Sequence, residues 1–310
     1  MLYLSVPELI AEAAKLVPAI KDAGVTATSE RLTQLQDQKI VVKYGGNAMT
    51  DDAIKKSVLS DILLLKTLGI NVVLVHGGGP AINELLDKYG KESKFINGLR
   101  YTDEETAELA LTALSGMVNK SLVRDIQRLG GEAIGISGID GRMIEVEQLS
   151  EDLGYVGKIT KINTEIIERI AKTTAIPVIA TAGVDAAGEI YNVNADTAAS
   201  RIAGELQAER FILLSDVRGL YSNFPDETSF LPETTLSEMD HLIAAGKISG
   251  GMIPKLEAIK YAMQNGLNEA VLLDGCLKNS LIFELFTSEG FGTLIKKDDL
   301  DLTKYDQLTL

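Results

Sequence analysis

The chain has 310 residues, of which 45% are hydrophobic, and its 44 acidic and 30 basic side chains give a formal net charge of −14. This length and composition describe a folded protein that can form one large α/β domain or two smaller ones. The acidic balance argues against nucleic acid or an anionic membrane as a partner, because both bind to basic surfaces.

The N-terminal segment is predicted to be helical. Apolar side chains recur with a helical period over residues 5–22, and Pro18 should kink or end that helix. A second, polar helix is expected to start near Thr28 or Ser29 and to lead into the first strand. We interpret residues 1–38 as an N-terminal helical extension, either a further layer on the domain or an oligomerisation arm.

From residue 39 onwards, short continuous apolar runs alternate with stretches of helical period. This βαβ alternation predicts an α/β fold, with a mainly parallel sheet covered by helices on both faces. The predicted strands are Ile40–Lys43, Val72–His76, Ala133–Ile136, Ile176–Thr181, Phe211–Ser215 and Ala270–Leu273. The predicted helices lie near residues 51–67, 80–89, 103–129, 163–172, 195–206, 236–245 and 254–265. Segments Met143–Val146 and Gly154–Ile162 resemble a hairpin, which predicts a mixed sheet.

Three glycine-rich segments are each expected to begin at the end of a strand: Lys43–Met49, Val75–Ile82 and Gly246–Lys255. Glycine lets the backbone approach a ligand closely and turn its N–H groups toward an anion, and a following helix adds its positive end. The first and third segments also carry lysines, Lys43 and Lys255. The pattern predicts phosphoryl transfer between two anionic ligands.

Cysteine and histidine are scarce, with Cys276, His76 and His241 as their only occurrences in the sequence. This scarcity argues against disulfides, zinc sites and Ser-His-Asp or Cys-His catalysis, and it fits a reducing cytoplasm. The Walker A pattern is absent, no carboxylate cluster is recognisable as a metal site, and we interpret His76 as a hydrogen-bonded structural imidazole. No signal peptide or membrane-spanning apolar run is recognised.

Further polar residues stand where predicted strands or loops meet helices. Arg100 precedes a helix and could bind a carboxylate or simply lie on the surface. Asp196, with two asparagines just before it, could cap a helix or serve as a functional carboxylate. Asp216 and Gly219 follow a buried strand, where a nucleotide site or a plain turn are both possible.

Taken in order from Lys39 to about Lys297, the motifs resemble the amino acid kinase family, and within it the branch that phosphorylates N-acetyl-L-glutamate. The resemblance implies a three-layer α/β/α sandwich of about eight mainly parallel strands, forming a single domain over residues 39–310. About 39–190 would bind the amino acid and about 191–310 would bind ATP. The motifs that carry the resemblance are KYGGNAM, HGGGP, NGLRYT, YNVNADTAA, LLSDVRGLY and SGGMIPKLEAI.

The resemblance implies transfer of the ATP γ-phosphoryl group to the γ-carboxylate of N-acetyl-L-glutamate, the second step of arginine biosynthesis, with Mg²⁺ held mainly by the phosphates. The implied catalytic residues are Lys43, Lys255 and Asp196. The implied substrate-binding residues are Gly77, Gly78, Gly79, Arg100 and Asn192. The implied ATP-binding residues are Gly45, Gly46, Asp216, Gly219, Tyr221, Ser249, Gly250, Gly251 and Met252.

Regulation and assembly are also suggested by the resemblance. The KYGGNAM form and an N-terminal helix resemble an arginine-inhibited hexameric branch, in which that helix interlocks dimers. The implied arginine-binding residues are Arg210, Glu284 and Gly290. The chain differs from that branch at four positions. The residues that differ are Val271, Cys276 and Asn279, where histidine or arginine is usual, and Ala19, directly after Pro18.

The expected protein is therefore a cytoplasmic homo-oligomer, a dimer or a hexamer, with a small-molecule substrate. Two alternatives stay open. One is a sister kinase that acts on glutamate, aspartate, carbamate or UMP. The other is a catalytically silent sensor of arginine or acetylglutamate.

Overall fold

The computed structural model describes residues 25–287 and 290–298. The predicted helix over residues 5–22 lies outside these residues. The polar helix predicted to start near Thr28 or Ser29 is present and begins earlier, since helix α1 spans Val25–Leu35. It ends four residues before the first strand, and its buried Leu32 and Leu35 pack into the domain core.

A central sheet of eight strands runs through the molecule. Its strands, in chain order, are β1 (Lys39–Tyr44), β2 (Asn71–His76), β5 (Ala133–Ser137), β8 (Ile176–Ala180), β11 (Arg210–Ser215), β14 (Glu233–Thr235), β15 (Glu269–Asp274) and β16 (Thr293–Lys296). Their order across the sheet is β14-β16-β15-β11-β1-β2-β8-β5. All neighbours pair in parallel except β15 and β16, which are antiparallel.

Both faces of the central sheet are buried. Along β1, Ile40 and Val42 lie in one apolar core, and Val41 between them lies in the core on the opposite face. A strand covered on both faces must be apolar at every position, so continuous runs of Val, Ile and Leu mark such strands in the sequence. All six predicted strands are confirmed to within one residue at each end.

Helices cover the two faces of the sheet. They are α2 (Asp52–Thr67), α3 (Gly79–Lys88), α4 (Glu104–Leu111), α5 (Asn119–Arg128), α6 (Glu165–Ala171), α7 (Ala195–Glu205), α8 (Leu236–Ala244), α9 (Met252–Gln264) and α10 (Ser280–Phe286). Side-chain caps mark the first residues of two of these helices. Asp51 accepts hydrogen bonds from two backbone N–H groups of α2, and Thr235 with Glu238 forms a capping box on α8.

Smaller sheets lie beside the central one. The predicted hairpin is present as β6 (Ile144–Gln148) and β7 (Gly157–Ile162), which are antiparallel. It belongs to a separate four-stranded sheet, so the mixed character of the central sheet comes from β16 instead. The other small strands are β3 (Phe95–Ile96), β4 (Leu99–Arg100), β9 (Ala182–Val184), β10 (Ile190–Asn192), β12 (Leu220–Tyr221) and β13 (Phe230–Leu231).

Two further predictions need correction. The single helix predicted near 103–129 is divided, because a π-helical segment over Thr112–Val118 joins α4 to α5. The glycine-rich segment Gly246–Lys255 follows helix α8 and not a strand. Among the described residues, no helix is long and apolar enough to cross a membrane. The three-layer α/β architecture is confirmed, and the division into two lobes near residue 190 stays a prediction.

Candidate active site

The residues predicted to act in catalysis and in binding of substrate and ATP gather at the carboxyl ends of the central parallel strands. Lys43 lies near the end of β1, in register with Val75 of β2 and Leu213 of β11. The loops that follow β1 and β2 touch each other, since the Gly77 backbone N–H donates to the Tyr44 carbonyl at 3.0 Å. Open α/β sheets bind ligands in the crevice at this edge.

Lys43, Asp196 and Lys255 form a cluster that joins three elements, with Lys43 and Asp196 buried and Lys255 partly buried. Lys43 Nζ lies 2.8 Å from Asp196 Oδ1, and Lys255 Nζ donates to Asp196 Oδ2 at 3.1 Å. Asp196 lies in the first turn of α7, and Lys255 lies near the start of α9. Burial opposes ionisation of Asp196, but the two ammonium groups hold its pKa below the usual range. The cluster therefore carries one net positive charge at neutral pH.

Two of the glycines beside this cluster lie close to neighbouring side chains. A Cβ at Gly45 would lie 3.1 Å from Lys43 Nζ, and one at Gly78 would lie 2.7 Å from Leu114 Cδ2. Helix α3 begins at Gly79, directly after these close contacts. The free N–H groups at a helix start favour an anion, so this loop can hold phosphoryl or carboxylate oxygens.

A cleft of about 270 Å³ lies on one side of the cluster. Arg100 lines it and is buried, with its guanidinium 4.8 Å from the Phe95 ring centre. Arg100 donates to Ser93 Oγ at 2.6 Å and to Asn83 Oδ1 at 2.7 Å, and these two side chains bond to each other. Other lining residues that the sequence predicted are Lys43, Gly45, Gly46, Gly77, Gly78, Gly79, Asn192 and Asp196.

A larger cleft of about 640 Å³ lies on the other side and shares Lys43, Gly45 and Gly46 with the first. The predicted residues that line only this larger cleft are Asp216, Gly219, Tyr221, Ser249, Gly251, Met252 and Lys255. Gly250 is not among the lining residues; its φ of +61° makes the turn that leads into α9. Sequence reasoning missed Phe224 and Lys247, which also line the cleft.

His76 has a structural environment, as the sequence predicts. It is fully buried, its Nδ1 donates to the Gly77 carbonyl at 2.8 Å, and its Nε2 accepts from Asn119 at 3.1 Å. Burial lowers its pKa to about 4, so the ring is neutral at physiological pH. Asn119 also donates to the Val178 carbonyl, which ties His76 to β8.

A third cavity, of about 450 Å³, brings the predicted arginine-binding residues together. Arg210, Glu284 and Gly290 line it, together with Arg31 of α1. Arg210 forms an ion pair with Glu269, and Glu284 accepts from two backbone N–H groups of the following loop. The differing residues Val271, Cys276 and Asn279 are not part of this lining.

Within residues 25–287 and 290–298, no group of three or more His, Cys, Asp or Glu side chains is placed to hold a metal ion. Asp196 is already engaged by two lysines, which leaves Asp216 as a carboxylate in the larger cleft. The donor set thus fits a cation that brings most of its ligands with it, as Mg²⁺ does when it is bound to phosphates.

Comparison with known proteins agrees with this geometry. A family model described as the amino acid kinase family matches residues 38–274. An acetylglutamate kinase of Lactococcus lactis subsp. cremoris (strain MG1363) is 65% identical over 271 residues, which cover 87% of this chain and 96% of the relative.

Solved structures share the fold. The protein smu.665 from Streptococcus mutans UA159 matches with a TM-score of 0.70 and 30% identity, over 84% of this chain and 99% of that one. N-acetylglutamate synthase from Neisseria gonorrhoeae, complexed with coenzyme A and N-acetyl-glutamate, matches with a TM-score of 0.78 and 23% identity. The latter match covers 88% of this chain and 63% of the synthase, so this chain spans less than two thirds of the synthase's length. On the family model and the identity to its curated relatives, the chain belongs to the acetylglutamate kinases of the amino acid kinase family.

Proposed function

We propose that the protein transfers the γ-phosphoryl group of ATP to the γ-carboxylate of N-acetyl-L-glutamate and forms N-acetyl-L-glutamyl 5-phosphate, the second step of arginine biosynthesis. The observation that carries this proposal is the Lys43–Asp196–Lys255 cluster, which stands between two clefts. The acetylglutamate kinase relative at 65% identity supports the substrate.

The chemistry needs no general base. The attacking carboxylate is ionised at neutral pH, so its oxygen attacks the γ-phosphorus directly while the bond to the β–γ bridging oxygen breaks and ADP leaves with the electron pair. The barrier is electrostatic, because an anion approaches a polyphosphate. Preorganised positive groups stabilise the charge on the transferred oxygens. In this proposal Lys43 neutralises the γ-phosphoryl group, Lys255 acts near the leaving oxygen, and Asp196 holds both lysines in place.

The smaller cleft would hold the amino acid. Arg100 and Asn192 would bind its α-carboxylate and acetamido group, and Gly77, Gly78 and Gly79 would present backbone N–H groups to the reacting oxygens. The hydrogen bonds from Arg100 to Ser93 and Asn83 support this assignment, because they fix the guanidinium before a ligand arrives.

The larger cleft would hold ATP, along the residues from Asp216 to Tyr221 and from Ile248 to Lys255. Its volume of about 640 Å³ falls in the range of small-molecule sites. Mg²⁺ would be held mainly by the phosphate oxygens, with Asp216 as the nearest candidate side chain, and when bound it would offset phosphate charge.

The test is ATP-dependent acyl-phosphate formation, trapped with hydroxylamine, with N-acetyl-L-glutamate beside glutamate, aspartate and carbamate. We expect turnover selective for N-acetyl-L-glutamate. Preferred turnover of another acid would assign the chain to a sister kinase activity. No turnover by folded protein that binds ATP would indicate a silent sensor.

We also propose that arginine binds in the cavity lined by Arg210, Glu284 and Gly290 and inhibits the enzyme. Carboxylates and guanidinium groups in the same cavity suit a zwitterion with a guanidinium side chain. A homo-oligomer, as a dimer or as a hexamer joined by the N-terminal helix, and a cytoplasmic location complete the proposal. Light scattering of the purified protein at several concentrations tests the oligomeric state.

A further inference from the structure

An exposed aromatic side chain stands at the wall of the larger cleft with no role in the chemistry described above. Phe224 lies in the loop between β12 and β13 and is 64% exposed, although it lines the cleft. Its ring centre is 5.6 Å from that of Tyr221, in an edge-to-face arrangement. Tyr221 itself is buried, so one ring of the pair is packed into the protein while the other is exposed at the cleft wall.

The hairpin that carries Phe224 is anchored firmly at its base. The Leu220 N–H donates to Thr293 Oγ1 at 2.8 Å, and this hydroxyl donates to the Leu231 carbonyl at 2.6 Å. A Cβ at Gly219 would lie 2.4 Å from Thr293 Oγ1, so the glycine is needed for this close packing. The tight base holds Phe224 at a defined place on the cleft wall.

The larger cleft is lined by both charged and apolar side chains. Lys43 and Lys255 supply positive charge where the phosphates would lie. Apolar side chains also line the cleft, beside the polar residues Ser215, Asp216, Lys247 and Ser249, and they suit a flat heterocycle that stacks better than it hydrogen-bonds. The apolar lining residues besides Phe224 are Leu214, Val217, Leu220, Ile248 and Met252.

We propose that Phe224 stacks against the purine base of the bound nucleotide. This inference rests on the proposed use of ATP and adds a residue that contacts the base. Stacking of a base on an aromatic side chain needs only the two π faces, so the contact contributes to affinity without reading the identity of the purine. Phe224 then acts on nucleotide binding and leaves the phosphoryl-transfer step to Lys43 and Lys255.

The sequence contains no tryptophan, which permits a direct optical test. Phe224→Trp creates a single tryptophan at the proposed stacking position, and its emission can be excited apart from that of the tyrosines. We expect ATP, ADP and GTP to change its emission, and inorganic tripolyphosphate, which has the charge but no base, to leave it unchanged. Tyr89→Trp is the matched control, because Tyr89 is also 64% exposed but lines neither cleft. Its emission should respond to none of these ligands.

Kinetics provide the second readout. Phe224→Ala should raise the KM for ATP by about fivefold or more, the loss expected for one base–aromatic stack, while kcat and the KM for the acid stay within about twofold. Phe224→Tyr should restore the KM for ATP. An unchanged KM in Phe224→Ala, or equal emission changes with ATP and tripolyphosphate, would overturn the inference.

Calorimetric titration of the unaltered protein with ATP separates this inference from the proposed function. If ATP binds to the unaltered protein and to Phe224→Ala equally well, the stacking contact is wrong and the kinase proposal stands. If ATP binds to neither and no acid is turned over, the proposed function itself is wrong, and the stacking inference falls with it.

Discussion

Asp196 holds two ammonium groups close together, and each lysine should therefore matter far more than an ordinary surface lysine. We expect Lys43→Ala or Lys255→Ala to lower kcat by about 100-fold or more, the scale of losing one preorganised donor to a developing negative charge. Lys39→Ala is the matched control for Lys43, because Lys39 starts the same strand and its ammonium contacts Glu168 at 3.7 Å, away from both clefts. The kcat of Lys39→Ala should stay within about twofold of the kcat of the unaltered protein.

Initial rates at saturating ATP and N-acetyl-L-glutamate measure both effects. A near-normal kcat in Lys43→Ala or Lys255→Ala contradicts the role given to that lysine. An equal loss in Lys39→Ala would point to general destabilisation, and a thermal unfolding curve for each variant separates the two causes.

Asn83 positions Arg100, and its removal should affect the amino acid more than the nucleotide. Asn83→Ala takes away the acceptor of a 2.7 Å charge-assisted hydrogen bond and leaves one guanidinium N–H of a buried arginine unpaired. We expect the KM for N-acetyl-L-glutamate to rise by about tenfold, with the KM for ATP within about twofold. Asn83→Asp keeps the acceptor and should recover much of the affinity. Equal rises in both KM values would contradict the assignment of Arg100 to the amino acid.

At the scale of elements, the contact between α2 and α10 contains a buried acid. Asp61 is fully buried, and its Oδ1 accepts from Asn279 Nδ2 at 3.1 Å, while the Asn279 N–H donates to Ser57. Burial raises the pKa of Asp61 to about 7, although the hydrogen bond from Asn279 opposes this. Folded protein therefore keeps Asp61 protonated at pH values where the unfolded chain has released the proton.

The free energy of unfolding should therefore depend on pH through Asp61. An acid with a raised pKa contributes fully to stability below its unfolded pKa of about 4, and that contribution is lost as pH rises toward 7. Asp61→Asn stays neutral and can still accept from Asn279. We expect the unfolding free energy of the variant, relative to the original protein, to rise by up to about 4 kcal/mol between pH 4 and pH 8.

Urea unfolding of both proteins at several pH values measures this difference. His76 acts in the opposite direction, because its pKa is lowered to about 4 and its contribution is lost as pH falls below about 6.5. Both proteins contain His76, so its contribution cancels in the comparison. Two stability curves that run parallel across this pH range would contradict the buried, protonated state of Asp61.

The sequence predicts the long elements of this fold well and the short ones poorly. Strands such as β11 are covered on both faces, so they appear as unbroken apolar runs. Helix α10 has seven residues, and the residue before it, Asn279, has a left-handed backbone with a φ of 58° and no side-chain cap. Asn279 is a residue type common at helix starts, but its side chain donates to Asp61 instead, and seven residues give too little helical period for a prediction. Strand β16 has four residues and is defined by its neighbours in the sheet.

The residues of the candidate site also differ in how well the sequence predicts them. Glycine-rich segments and charged residues at strand ends and helix starts have local signatures, so Lys43, Asp196 and Lys255 could be predicted. Asn83 and Phe224 could not, because Asn83 reaches Arg100 across 17 residues and Phe224 lies in a loop whose path over the cleft depends on Thr293. Such contacts are made by tertiary packing, which the spacing of residues along the chain does not encode.

At the scale of the whole molecule, two of the cavities lie at opposite ends of one strand of the central sheet. Strand β11 begins at Arg210, which lines the proposed arginine cavity, and ends at Ser215, which lines the proposed nucleotide cleft. The five steps between these residues span about 17 Å of a rigid strand. Helix α10 carries Glu284 at the arginine cavity, and the residue before its first turn contacts α2 beside Asp61. Strand β11 therefore connects the two cavities physically.

This connection leads to a prediction about linkage. If arginine in the cavity weakens ATP binding by some factor, ATP must weaken arginine binding by the same factor, typically about 5- to 150-fold. We expect millimolar arginine to lower the rate, and calorimetry in both orders of addition to give equal factors. Arg210→Ala should abolish the inhibition and leave the uninhibited kcat within about twofold, because Arg210 lines neither active-site cleft.

Arg201→Ala is the control for that substitution, since Arg201 packs on Tyr261 and is absent from the lining of the arginine cavity. It should retain inhibition in full. A rate that millimolar arginine leaves unchanged removes the proposed inhibition. Inhibition that persists in Arg210→Ala would instead place arginine elsewhere, and competition with N-acetyl-L-glutamate would then locate it in the smaller cleft, where Arg100 offers a partner for its carboxylate. The two outcomes differ in how the KM for N-acetyl-L-glutamate depends on arginine: direct competition in the active site raises this KM in proportion to arginine without limit, whereas arginine at a separate site raises it at most to a plateau set by the coupling factor.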